Sequence, residues 1–106
     1  MDPLTLFDEI AADLAVQGVV TGNMFGARAL KSGGKALGCL LKNDAMALRL
    51  GAGTPAHAEA LALEGARLFD PSGRDQPFKD WVEVPAAQSE HWAGLAQAAL
   101  DYLGAA

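Results

Sequence analysis

Between Val19 and Leu50 the apolar residues follow a period of two, and short turns interrupt them at close intervals. A Ser-Gly-Gly-Lys turn occupies residues 32–35, and an Asn-Asp turn occupies residues 43–44. Segments that alternate in this way and are joined by tight turns pair with their sequence neighbours. The pattern therefore predicts an antiparallel meander of three sequential strands with one buried face.

The same alternation predicts which side chains share a face. Val19 to Thr21 starts the first strand, and Ala27 to Lys31 reads either as a second strand or as the continuation of the first. Two further sets of alternate residues are each expected on one face: Leu37, Cys39 and Leu41 in the next strand, and Met46, Leu48 and Leu50 in the last, with Ala45, Ala47 and Arg49 on its other face.

Helical patterns flank the meander. Asp2 and Thr54 are each followed by a proline, which is the sequence of an N-cap and a first helical residue. The final segment carries an unbroken apolar stripe that begins at Trp92, with Ser89 as a plausible cap. We expect this last helix to lie on the sheet with Trp92 as its largest anchor.

Ala66 to Asp70 and Trp81 to Val84 are two further strand candidates, and the turn-rich segment 71–77 connects them. The predicted order is α-β-β-β-α-β-β-α. It indicates an α+β fold in which helices pack on an antiparallel sheet of about five strands. A length of 106 residues suits one domain, spanning residues 1–106.

No residue spacing in the sequence matches a catalytic or metal-binding motif. The glycines near Lys35 lack the order of a phosphate-binding loop, and a strand rather than a helix is expected after them. His57, His91 and the single Cys39 do not have the spacing of metal ligands, and Cys39 alternates with leucines as a small core residue does. We predict no catalytic residue, no metal and no cofactor.

Charge is distributed unevenly along the chain. The 13 acidic and 8 basic residues give a net charge of −5, yet residues 23–53 carry a net charge of +4. Two interpretations remain open: a docking patch for an acidic partner surface or a nucleic-acid backbone, or lysines that keep strand edges from pairing. The candidate partner contacts are Arg28, Lys31, Lys35, Lys42 and Arg49.

The net negative charge argues against direct DNA binding, because neutralisation of phosphates supplies most of the affinity for DNA. The last helix also contains no Lys or Arg with which to contact DNA. The apolar stretches are far shorter than the roughly 20 residues that span a bilayer, and the N-terminus has no signal-peptide pattern. With one cysteine and no disulfide partner, the sequence predicts a cytoplasmic protein that does not enter a membrane.

Several short motifs, in their order and spacing, are similar to those of the TfoX (Sxy) N-terminal-domain family. A Met-Phe-Gly element follows the first helix and leads through Ala27-Arg28-Ala29-Leu30 to a Gly-Lys turn. A Met-Ala-Leu-Arg-Leu strand, a Trp-Val-Glu-Val-Pro strand and the Trp-containing last helix follow in that order. The family-motif residues, expected to be structural, are Met24, Phe25, Gly26, Trp81, Pro85 and Trp92.

The resemblance implies an α+β domain from a family named for regulators of DNA-uptake competence. Longer members add a C-terminal helical domain, and the resemblance covers a single-domain form without it. The expected function is a non-enzymatic module that contacts an unknown protein partner, in a role related to transcription or competence. Two alternatives remain open: a small-molecule-binding domain or enzyme that uses Met24-Phe25-Gly26 and the 71–79 loop, and a homodimer formed through the meander edge.

Overall fold

The structure is a computed structural model that describes residues 2–24 and 26–105. These residues form three α-helices, a 3-10 helix and a six-stranded antiparallel sheet, so the predicted α+β class is confirmed. The elements are α1 (Pro3–Ala15), β1 (Val20–Met24), β2 (Ala27–Ser32), β3 (Lys35–Leu40), β4 (Met46–Arg49), α2 (Pro55–Leu61), β5 (Arg67–Phe69), β6 (Phe78–Val84), the 3-10 helix (Ala86–His91) and α3 (Trp92–Ala105).

The sheet has one strand more than predicted, because β1 and β2 are separate strands and not one continuous strand. Met24 pairs with Ala27, so a two-residue connection at positions 25–26 reverses the chain. Gly26 has a φ of +73°, a backbone conformation that glycine adopts without strain. Phe25, the other residue of this connection, lies outside the described residues.

The strands lie in the order β1-β2-β3-β4-β6-β5. The meander therefore occupies β1 to β4, and β6 pairs with β4 before β5 completes the sheet. As a consequence, β1 and β5 are the two edges of the sheet, and the other four strands are internal.

The helices cover one face of the sheet. The main core lies between them and this face, and Trp92 is fully buried in it together with Phe7 of α1 and Leu48 of β4. Trp92 is therefore the anchor that the sequence predicted. Within residues 2–24 and 26–105, no helix combines the length and apolar character needed to cross a bilayer.

The opposite face, here called the open face, carries a second and smaller apolar cluster. Its buried members are Ala29, Cys39, Ala47, Phe69 and Trp81, and the partly buried residues around them come from strands or turns. None of the described helical residues belongs to this cluster. The open face is thus a sheet surface without a helical layer.

Leu37 and Cys39 do not share a face, which corrects the expected alternation of this strand. Lys31 pairs with Ala36 whereas Leu30 pairs with Gly38, so β3 contains one extra residue at this point. Such a bulge interrupts the period of two. Leu37 consequently joins the main core, while Cys39 and Leu41 lie in the cluster of the open face.

The start of the last helix also differs from the expectation. Ser89 lies inside the 3-10 helix and caps nothing, because Pro85 precedes that helix and α3 follows it directly from Trp92. The predicted caps of the other two helices are confirmed. Asp2 accepts a hydrogen bond from the Thr5 amide at 3.2 Å, and the Thr54 hydroxyl oxygen accepts one from the His57 amide at 3.2 Å.

Candidate partner-binding surface

The five basic residues singled out in the sequence do not form one patch. Lys31 and Arg49 lie on the open face, where Arg49 pairs with Trp81 across the β4–β6 ladder. Arg28 lies on the helix-covered side, opposite Leu40. Lys35 and Lys42 are exposed near turns at opposite ends of β3.

Arg28 is engaged within the protein. Its guanidinium lies 3.2 Å from a carboxylate oxygen of Asp8 on α1, and both side chains are about half exposed. An ion pair of this kind contributes at most about 1 kcal/mol to stability. It nevertheless places the charge of Arg28 beside an equal and opposite charge, which reduces its attraction for an acidic partner.

Lys35 and Lys42 are too far apart to contact one small acidic site together. They are seven positions apart along β3 and the turn that follows it, which is up to about 23 Å at the usual rise along a strand. Lys35 also lies on the helix side of the sheet, beside a shallow hollow formed with Leu100 and Leu103 of α3. We therefore expect these two lysines to act independently of each other.

Lys31 and Arg49, in contrast, project from neighbouring positions of the open face. Strands β2 and β4 are separated only by β3, so the two backbones are about 10 Å apart. Both side chains are partly buried, and neither makes a salt bridge or side-chain hydrogen bond with any other described residue. They form a pair of uncompensated cations on a sheet surface.

A row of very small residues crosses the open face beside these cations. The register aligns Gly22, Ala29, Cys39 and Ala47 on four successive strands, from β1 to β4. Ala29, Cys39 and Ala47 are completely buried although none carries more than a short side chain. Because these three side chains have no exposed surface, other groups of the protein cover the middle of this row, and it belongs to the smaller apolar cluster.

The row ends at Glu83 on β6, whose carboxylate is neutralised within the protein. Glu83 is 9% exposed and accepts hydrogen bonds from Arg67 at 3.3 Å and from the Asn43 side chain at 3.2 Å. Because this acidic group already has its partners, the uncompensated charge on this face is positive.

Cys39 lies in this row but is not poised as a nucleophile. Burial raises the pKa of its thiol to about 11. A hydrogen bond with the Ala47 backbone opposes this shift, and the nearby charge of Glu83 makes a smaller contribution that raises the pKa. At neutral pH the thiol is protonated, and the thiolate is the reactive form. The sequence expectation of a small buried core residue is confirmed.

The two histidines have separate settings. The Nε2 atom of His57 lies 2.7 Å from the Lys79 carbonyl oxygen and so donates a hydrogen bond that ties α2 to β6. His91 is exposed, 3.9 Å from the carboxylate of its neighbour Glu90. In the part of the chain that the structure describes, no three His, Cys, Asp or Glu residues come together to hold a metal ion.

The family-motif residues that the structure describes have packing roles. Trp92 fills the main core, Trp81 packs on the open face against Phe69, and Met24 contacts the same cluster. Pro85 ends β6 and precedes the 3-10 helix, and Gly26 turns the chain between β1 and β2.

The two segments of the alternative ligand site come from different parts of the sheet. Met24 ends the edge strand β1 and Gly26 follows in its connection to β2, while Gly73, Asp75 and Pro77 line a hollow of about 500 Å³ beside Arg67 and Asp70. Met24 also packs against the open-face cluster that contains Phe69 of β5. The alternative ligand site stays a prediction.

No family model, no curated protein and no solved structure matches this chain. The similarity to the TfoX N-terminal-domain family therefore remains an expectation from short motifs.

Proposed function

We propose that the protein is a non-enzymatic interaction module that binds an acidic region of a partner protein on its open face. The observation that carries the proposal is the placement of Lys31 and Arg49 on one helix-free face without acidic partners. Charges arranged in this way steer an oppositely charged surface into contact and fix its register. The exposed side chain of Val20, which pairs with Lys31 across the β1–β2 ladder, offers an apolar part of such a contact.

Protection of strand edges, the other interpretation of the basic residues, does not account for Arg49. Edge protection places charges at the outer strands. The side chain of Lys31 extends to the outer strand β1 and suits that role, but Arg49 is on the internal strand β4. The position of Arg49 beside Lys31 thus favours a role in binding.

A protein suits this surface better than DNA. A net charge of −5 repels a phosphate backbone, and two clustered cations supply few phosphate contacts. We further propose a cytoplasmic location and, from the motif similarity, a role in transcriptional or competence regulation through protein contacts.

Two charge-matched double variants test the proposal. Lys31→Glu with Arg49→Glu reverses the pair on the open face, and Lys35→Glu with Lys42→Glu makes the same change in net charge elsewhere. A partner captured from an extract of the source organism is purified, and its affinity for each variant is measured by calorimetry. We expect a loss of at least about tenfold for the first variant and less than about threefold for the second. Equal losses, or none, would contradict the proposal.

A further inference from the structure

The edge strand β1 is unusually open for pairing. Its five residues, Val-Thr-Gly-Asn-Met, include no charge and no proline, the two features that commonly block strand addition. Val20 is 61% exposed. The other edge, β5, has only three residues and carries Arg67. Of the two edges, β1 is the one suited to accept another strand.

The hairpin geometry indicates which backbone groups of β1 face outward. A two-residue connection makes the flanking pair, Met24 and Ala27, a hydrogen-bonded pair, and such pairs alternate along an antiparallel ladder. Gly22 and Val20 are therefore bonded to β2. The N–H and C=O groups of Thr21 and Asn23 point to the open edge.

Gly22 lets the side chain of Lys31 reach this edge. Lys31 is paired with Val20, yet its Cδ and Cε atoms lie 3.1 Å, and its Nζ 3.5 Å, from the point where a Cβ at position 22 would stand. The lysine thus crosses the strand diagonally over the glycine and brings its ammonium to the outermost strand. A larger residue at position 22 would occupy that path.

We propose that β1 accepts an extended segment of the partner as a seventh, antiparallel strand, with an acidic residue opposite Gly22. This inference rests on the proposed function and specifies the partner's chemistry. The position opposite Gly22 lies on the open face beside the ammonium of Lys31, in a pair where side chains approach closely. Two residues away in each direction, the added strand meets Val20 and Met24, so apolar residues belong there. The recognised pattern is apolar, any, acidic, any, apolar.

Charge makes a second copy of this chain a poorer occupant than an acidic segment. In the symmetric antiparallel pairing of two β1 strands, Gly22 faces Gly22 and the ammonium groups of both Lys31 residues meet at the two-fold axis. Like charges placed opposite each other destabilise a strand pair. An acidic residue at the same position is attracted instead.

A synthetic peptide supplies the first test. Its central sequence is Val-Thr-Glu-Thr-Val, with serines on both sides. One control, the Gln peptide, has Gln in place of Glu. The other control is the Glu peptide methylated on the backbone nitrogens of both threonines. We expect the Gln peptide to bind the protein of residues 1–106 about three- to fivefold more weakly, which corresponds to an ion pair of up to about 1 kcal/mol. The methylated peptide loses the two donors opposite Thr21 and Asn23, so we expect its binding to disappear.

Protein variants complete the test. Lys31→Met should remove the preference for Glu over Gln, and the matched variant Lys42→Met should keep it. The inference is wrong if the Glu peptide does not bind at millimolar concentration, if methylation has no effect, or if Lys42→Met removes the preference. It is also wrong if sedimentation of the protein alone shows a dimer that the Glu peptide does not dissociate.

The two proposals fail separately. If reversal of Lys31 and Arg49 abolishes capture of the partner but the peptide does not bind, the open face is used without strand addition. If the peptide binds as expected but the charge-reversed variant still captures the partner, the edge is a peptide site and the proposed function is wrong.

Discussion

The indole Nε1 of Trp92 donates a hydrogen bond to the carbonyl oxygen of Val84 at 3.2 Å. The first residue of α3 is thereby tied to the last residue of β6, and the 3-10 helix between them closes a short loop. Because the indole is completely buried, its N–H has no access to water and depends on this acceptor.

Replacement of Trp92 therefore separates two contributions to stability. Trp92→Phe keeps most of the buried ring and loses the donor, so we expect the free energy of unfolding to fall by about 1–3 kcal/mol. Trp92→Ala also leaves a cavity and should lower it by about 3–5 kcal/mol. Urea unfolding measures both, and a wild-type midpoint for Trp92→Ala would show that the helix is not packed as described.

Gly51 and Gly53 form a matched pair for a test of close packing. Both have a positive φ, +83° and +87°, but a Cβ on Gly51 would lie 2.3 Å from the ring of Tyr102, while one on Gly53 meets nothing within 4 Å. Gly53→Ala should destabilise the protein by about 1–2 kcal/mol through backbone strain alone. Gly51→Ala should destabilise it further. Equal melting temperatures for the two variants would contradict the placement of Tyr102.

Cys39 should react slowly in the native protein. Its pKa of about 11 keeps the buried thiol protonated, so a thiol reagent at pH 7.5 should modify it at the rate of unfolding and immediately in urea. Rapid stoichiometric modification of the native protein would contradict this burial.

The same shift predicts a dependence of stability on alkaline pH. The pKa of the thiol is near 9.0 in the unfolded chain and near 11 in the folded one. The contribution of the buried, neutral thiol to the free energy of unfolding is therefore present below pH 9 and is lost as the pH rises towards 11. This fall is about 3 kcal/mol for a difference of two pKa units, and Cys39→Ala should lack it. The measurement is the difference between wild type and variant in urea unfolding at several pH values. Parallel curves for the two proteins would contradict it.

Asp70 organises the loop between β5 and β6. The Ser72 hydroxyl donates to it at 2.6 Å and lowers its pKa below the ordinary value of 3.8, and the amides of Ser72, Gly73 and Gln76 also donate to the carboxylate. Asp70→Ala should increase proteolysis within residues 71–77, whereas Asp70→Asn keeps one acceptor oxygen and should have a smaller effect.

Acidification should weaken the hydrogen bonds that hold this loop. Because the folded pKa of Asp70 is depressed, its stabilisation is present above pH 3.8 and is lost as the pH falls through the folded value. Protection of the loop amides from hydrogen exchange should therefore decrease on acidification in the wild type and stay constant in Asp70→Asn. A wild-type loop that keeps its protection would contradict the role of the carboxylate.

Local patterns were sufficient to predict the helices and the meander. The prolines after Asp2 and Thr54 identified two helix starts, and the stripe from Trp92 identified the last helix. Residues that depend on pairing between strands were harder to place. The bulge at Leu37 arises from the register of β2 against β3, and no property of Leu37 itself indicates it.

The candidate site was predictable in composition and not in arrangement. The five basic residues are clustered in sequence, but the faces of the strands divide them, and Asp8 from a distant helix pairs with Arg28. No sequence pattern assigns Gly22 or Glu83 to this surface. A glycine inside a strand indicates that another group lies close to the backbone there. The folded structure identifies that group as the side chain of Lys31.

The most direct test of the open face as the binding surface is a nitrogen-15 NMR titration of the protein of residues 1–106 with its purified captured partner. The amide signals of Gly22, Lys31, Cys39 and Arg49 should shift or broaden, while those of α1, α2 and α3 should stay near their free positions. Perturbations confined to the helices or to residues 71–77 would contradict the account.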